Sequence, residues 1–255
     1  MLTISQACHD ILTTPKARAK AECARAHCAA LDGNGAGFGN AAPPARPARP
    51  ATPRLVPPRE MPKRTKAGLK GRQALIHALA HIELNAIDLA ADIIIRFGRD
   101  LPRAFTTDWL SVVDDEARHF LMLADRLEEM GLHYGALDAH DGLWQSAEKT
   151  SHDLLSRLAV VPLVHEARGL DVTPATVERL RAHGDEASAH CLDIIYRDEI
   201  NHVAIGRRWF EELCHTKGLE PVSHFRSVIA EVRAGSPKPP FNDQARQKAG
   251  LDFYR

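Results

Sequence analysis

The chain has 255 residues, with 33 Lys and Arg balanced by 33 Asp and Glu, 44% apolar residues and only 5% aromatic ones. That apolar content can fill the core of one large or two small domains, and it excludes disordered, collagen-like and disulfide-scaffold classes. No run approaches the roughly 20 consecutive apolar residues of a membrane helix, and the charged first 30 residues lack the apolar stretch of a signal peptide, so a cytoplasmic protein with no membrane partner is expected.

Residues 2–30 read as a helix, rich in Ala, Lys and Arg, with Pro15 its only proline. Residues 31–66 read as a linker, because Gly33, Gly35, Gly37 and Gly39 are followed by eight of the chain's sixteen prolines, from Pro43 to Pro62. Residues 1–70 carry 12 basic and 4 acidic side chains, and residues 71–255 carry 21 and 29. This basic arm is expected to dock on the acidic body, contact with nucleic acid being the weaker alternative. From Gly71 onward apolar residues recur every three or four positions, the pattern of long amphipathic helices.

Helix A is expected at about 69–99, helix B at 104–131, helix C at 144–169 after a long crossover, and helix D at 185–216, with Gly98, Gly131, Gly169 and Gly218 as stops. Thr173 and Pro174 suggest a short helix to His183, and 220–255 reads as a tail. No segment alternates as a strand does. The fold expected is all-α: a four-helix bundle over 67–219 with a long B-to-C crossover, preceded by an extra N-terminal helix and a Gly/Pro-rich linker. The five cysteines, Cys8, Cys23, Cys28, Cys191 and Cys214, form no Cys-x-x-Cys pair and are expected to be reduced.

Helix A carries Glu83, helix B Glu116 and His119, helix C Glu166, and helix D Glu199 and His202. A Glu-x-x-His pair puts both side chains on one helix face. The interval from Glu83 to Glu116 is 33 residues, and that from Glu166 to Glu199 is 33 again, so the same two-helix unit is presented twice. This order, Glu then Glu-x-x-His in each half, is that of di-iron carboxylate bundles. Random placement of 15 Glu and 14 His gives roughly one Glu-x-x-His match, and three occur. The third, Glu212 and His215, lies about 220° around helix D from Glu199 and should face solvent.

The two inward pairs lie in apolar stripes, among them Trp109, Val112, Phe120 and Leu123 on helix B and Leu192, Ile195, Val203 and Phe210 on helix D. Four carboxylates aimed at a dry core cost several kcal/mol each unless they are compensated. Two divalent cations would cancel them. Mixed carboxylate and imidazole donors favour two iron ions, with manganese or zinc as chemically compatible alternatives. Asp115 and Asp198 each precede a metal-binding Glu by one residue and a His by four, where they could accept the imidazole's other N–H. His77 and His81 project away from Glu83 and are read as hydrogen-bonding residues. Pro162, one turn before Glu166, should kink helix C.

Asp115-Glu116-Ala117-Arg118-His119 resembles the Asp-Glu-x-Arg-His motif of bacterial multicomponent di-iron monooxygenases, and Asp198-Glu199-Ile200-Asn201-His202 resembles its partner, with Asn for Arg. More closely, His77 to Leu89, Asp115 to His119, Glu166 to Asp171 and Asp198 to Gly206 resemble a bacterial ferritin-like family, domain of unknown function 455. The resemblance implies a ferritin-like di-iron fold and no particular substrate. The leading expectation is an oxidoreductase that activates dioxygen to oxidise or hydroxylate a small molecule, with electrons from a separate donor. An iron-handling ferroxidase without an organic substrate is the alternative, and a metal-free scaffold that binds nucleic acid through the arm is the third.

Overall fold

A computed structural model describes residues 2–33, 35–61, 68–232 and 237–251. Among the described residues every regular element is helical apart from one isolated bridge between Leu55 and Ala139, and no helix is long and apolar enough to cross a membrane. The chain condenses into two compact units, Met1–Trp144 and Gln145–Arg255.

In the first unit α1 (Ile4–Thr13) and α2 (Ala17–Leu31) replace the single helix expected over 2–30. Pro15 has no N–H to donate and its ring crowds the preceding turn, so the helix breaks there and must restart. Thr3 caps α1 by accepting the Gln6 N–H. The antiparallel pair α3 (Gly68–Phe97) and α4 (Arg103–Glu129) agrees closely with helices A and B. Gly131, just beyond α4, adopts φ +77°, a left-handed conformation open to glycine at little cost. Trp109, Phe105, Phe120, Ile87, Ile93 and Leu123 are fully buried and form the core of this unit.

The expected linker has no helix from 35 to 57, as its glycines and prolines require, but it is no free tether. It lies against α1 and α3 as a strap. Ile4 and Ser5 N–H groups donate to the Gly37 and Phe38 carbonyls (3.1 and 2.7 Å), and Ala48 N–H donates to Leu12 (2.7 Å). Arg49 reaches Asp88 and Asn85, each at 2.7 Å. Residues 34 and 62–66 of that segment lie outside the described residues. The basic arm docks on acidic side chains of its own unit: Lys20 pairs with Asp88, Arg18 with Asp125, Arg25 with Asp114, Arg46 with Asp141 and Arg54 with Asp138.

A short helix, α5 (Gly142–Lys149), spans the boundary between the units. The second unit continues with α6 (Leu154–Val160), one turn of π-helix (Val161–Glu166), α7 (Ala167–Ala182), α8 (Glu186–Thr216), α9 (Pro221–Glu231) and α10 (Asp243–Lys248). Helix C is therefore three helices and a π-turn. Its bend is held by the buried Arg157, which donates to Thr150 Oγ1 (2.9 Å) and the Ala147 carbonyl (2.7 Å). Gly169 does not stop it, and Thr173-Pro174 does not start a new helix, since both positions are interior to α7. Proline at 174 cannot donate to the Leu170 carbonyl, and that oxygen accepts from Asn242 Nδ2 instead (3.1 Å).

The expected tail is likewise attached. Arg246 forks onto Asp171 (2.8 and 2.7 Å), and Arg207 Nε donates to the Ala249 carbonyl (3.1 Å). Residues 233–236 and 252–255 lie outside the described residues.

Candidate metal centre

In the first unit Glu116 and His119 sit one turn apart on the apolar stripe of α4, and Glu83 meets them from α3. All three are buried, at 3% exposure for Glu83 and 0% for the other two. His119 Nδ1 is 3.3 Å from Glu83 Oε2 and 3.6 Å from Glu116 Oε2. Burial, and then the like charge of Glu116, push the Glu83 carboxyl well above the usual carboxylate range, against the opposing pull of His119. Such a group is stable only with a proton or a cation at its centre.

In the second unit the corresponding pair on α8 also shares a face, with His202 Nδ1 3.7 Å from Glu199 Oε2 and His202 fully buried. Glu166 closes the π-turn, and its neighbour His165 places Nε2 3.0 Å from Ser146 Oγ. Asp115 accepts from Arg118 (2.7 Å), and Asp198 is half-buried on α8. The extra pair Glu212 and His215 is exposed, as its helical phase required.

Within the first unit Glu83, Glu116 and His119 form a buried group that could hold a metal ion, each offering one ligand atom within 4.8 Å of the others. Its donors are two carboxylates and an imidazole, a hard and borderline set that suits iron, manganese or zinc. Glu166, Glu199 and His202 lie in the second unit.

Taken singly, His77 and His81 are hydrogen-bonding residues, but they belong to a larger set. His77, His81, Asn85 and Asp88 form one buried stripe on the opposite side of α3 from Glu83. The Gly135 N–H donates to His77 Nε2 (3.0 Å), and His81 lies 2.8 Å from the Tyr134 hydroxyl and 3.0 Å from the His140 carbonyl. Burial lowers both histidines to about 4. They pin the segment after α4 to α3. The signal was legible as polar residues at helical spacing, four, four and three apart.

Fold and site together define an all-helical protein with a buried carboxylate and imidazole group able to take a metal ion. The chain belongs to the family described as "Protein of unknown function (DUF455)", whose model matches residues 13–254. It is also similar to an uncharacterised protein of Haemophilus influenzae, 43% identical over 205 residues that cover 78% of this chain and 71% of that one. No solved structure matches.

Proposed function

We propose that this chain is a non-haem di-iron protein of ferritin-like four-helix architecture, built from residues 67–219, that uses dioxygen to oxidise or hydroxylate a small organic substrate with electrons from a separate donor. The observation that carries this reading is the buried group of Glu83, Glu116 and His119 in the first unit. Glu166 and His202 would complete six ligands in the order Glu, Glu-x-x-His, repeated once. Bound iron would supply the one-electron and oxygen chemistry that amino-acid side chains lack.

The chain's own residues have three tasks. Four carboxylates balance the charge of two divalent cations in surroundings where water could not do so. The imidazoles of His119 and His202 are fully buried and would each offer a ring nitrogen to the metal. Asp115 and Asp198 would accept the outward imidazole N–H and fix its tautomer. The apolar stripes of α4 and α8 keep solvent from the centre.

The test is anaerobic loading with Fe(II) followed by metal analysis and oxygen-uptake measurement. Two irons per chain and oxygen uptake are expected, both lost in Glu83→Ala. Oxygen uptake that only converts Fe(II) to released or stored Fe(III) would favour iron handling. Protein purified without chelator that holds no iron, manganese or zinc, and gains no thermal stability when metal is added, would overturn the reading.

A further inference from the structure

The second unit contains a close approach that the metal chemistry above does not use. A Cβ built on Gly206 would fall closer than 3.0 Å to both Cβ and Cγ of Pro162, a separation that real Cβ atoms do not show. The proline ring therefore occupies a notch in α8 that only glycine leaves open. Pro162 is the second residue of the π-turn, and Glu166 is its last.

The position of this contact gives it meaning. α7 and α8 are joined by three residues and pack side by side, so they run antiparallel. From Pro162 one helical turn forward reaches Glu166, and from Gly206 one turn back reaches His202, so contact at the first pair brings the second pair level. In the first unit the equivalent step is seen directly. Glu83 and His119 are separated by 36 residues in sequence, as are Glu166 and His202, and His119 lies against Glu83 at 3.3 Å. One turn beyond Glu83 and His119, however, stand Leu79 and Leu123. Two leucines cannot share the space that Pro162 and Gly206 share, and α3 runs through its glutamate as unbroken α-helix.

Proline supplies the second half of the device. It cannot donate to the carbonyl four residues back, and a wider turn accommodates that loss. A π-turn inserts one residue into the helical phase, which rotates everything after it by about 100° relative to an α-helix. Such single π-turns are frequent at functional sites.

We infer that Pro162 and Gly206 are a positioning pair: their contact sets the register of the π-turn against α8 and so determines the direction in which Glu166 presents its carboxylate, level with His202. This inference rests on the reading of Glu166 and His202 as metal ligands. It assigns Gly206 a role that neither its small size nor its burial alone would suggest.

The experiment uses the full chain and Co(II) as the metal probe, with binding followed by visible absorption and metal content by elemental analysis. Gly206→Ala should weaken Co(II) binding about 10- to 100-fold, the usual effect of misplacing a ligand's support, while helix content stays unchanged. Gly169→Ala, on the same helix pair but with nothing within 4 Å of its added Cβ, should bind as the native chain does. If Gly206→Ala does not fold, Pro162→Ala restores the missing N–H and leaves the notch, and it should weaken binding similarly. Native Co(II) affinity in whichever of these variants folds would overturn the positioning role. Failure of the native chain to bind Co(II) would instead remove the metal reading. The crystal structure of the folded variant then decides: loss of the π-turn over 161–166 supports the pair's role and an unchanged turn overturns it.

Discussion

Asp88 and Asp171 stand at equivalent places in the two halves of the chain, five residues after Glu83 and Glu166, and both are buried and ion-paired. Asp88 is held by two cations from the N-terminal segment, Lys20 and Arg49, and Asp171 by the Arg246 fork and the Asn242 N–H from the C-terminal segment. The backbones beside them differ more. α3 passes its glutamate as regular helix, whereas the second glutamate is reached through a π-turn seated on Gly206. A repeated side-chain pattern thus rests on unlike supports. Buried charge fastens an extension to the back of each repeat, and backbone fit aims one glutamate of the two.

The comparison breaks most sharply at the buried ion pairs. Arg246→Ala leaves Asp171 the Asn242 N–H at 3.0 Å and Arg168 at 3.8 Å, and a buried charge stripped of its close cation costs about 3–5 kcal/mol. Urea unfolding should show that loss. A cost below about 1 kcal/mol would mean that α10 is not fastened as described.

A pH titration tests the first unit next. His77 and His81 have folded values near 4, below the unfolded 6.5. Their stabilisation is therefore complete above about 6.5 and is lost as pH falls towards 4, by up to about 3 kcal/mol each. His77→Gln should flatten that dependence in stability measurements between pH 4 and 7, and an unaltered slope would count against a buried neutral imidazole.

Lys20→Ala should cost less than Arg246→Ala, about 2 kcal/mol, because Arg49 remains on Asp88 and what is lost is a hydrogen bond to a charged group. Equal losses would erase the contrast between two cations and one. The smallest effect concerns α6, whose Asp153 accepts the Ser156 N–H at 2.7 Å. Asp153→Ala should lower stability by about 1 kcal/mol in thermal unfolding, the usual worth of a cap.

Helical periodicity was enough to read α3, α4 and α8 to within a few residues, because long amphipathic stripes with glycine stops leave little choice. It failed where one residue had two uses. Pro15 breaks a helix and Pro174 does not, since Asn242 supplies the donor that the Leu170 carbonyl needs. Gly169 continues α7 at glycine's ordinary cost of about 1 kcal/mol. The glycines and prolines of the expected linker keep the described residues of 35–57 free of helix, but composition cannot tell a strap from a tether. That depends on whether distant residues such as Asp88 and Leu12 offer partners.

The sequence by itself determined the helical class and the two Glu-x-x-His faces, because each of these is a matter of spacing within one helix. Only tertiary structure decided that Glu83 meets His119, that the basic arm spends its charge on its own unit, and that a proline ring lies in the notch at Gly206. Those outcomes depend on contacts between residues far apart in the chain. No local periodicity encodes them, because each arises from the shape and charge of a partner on another element.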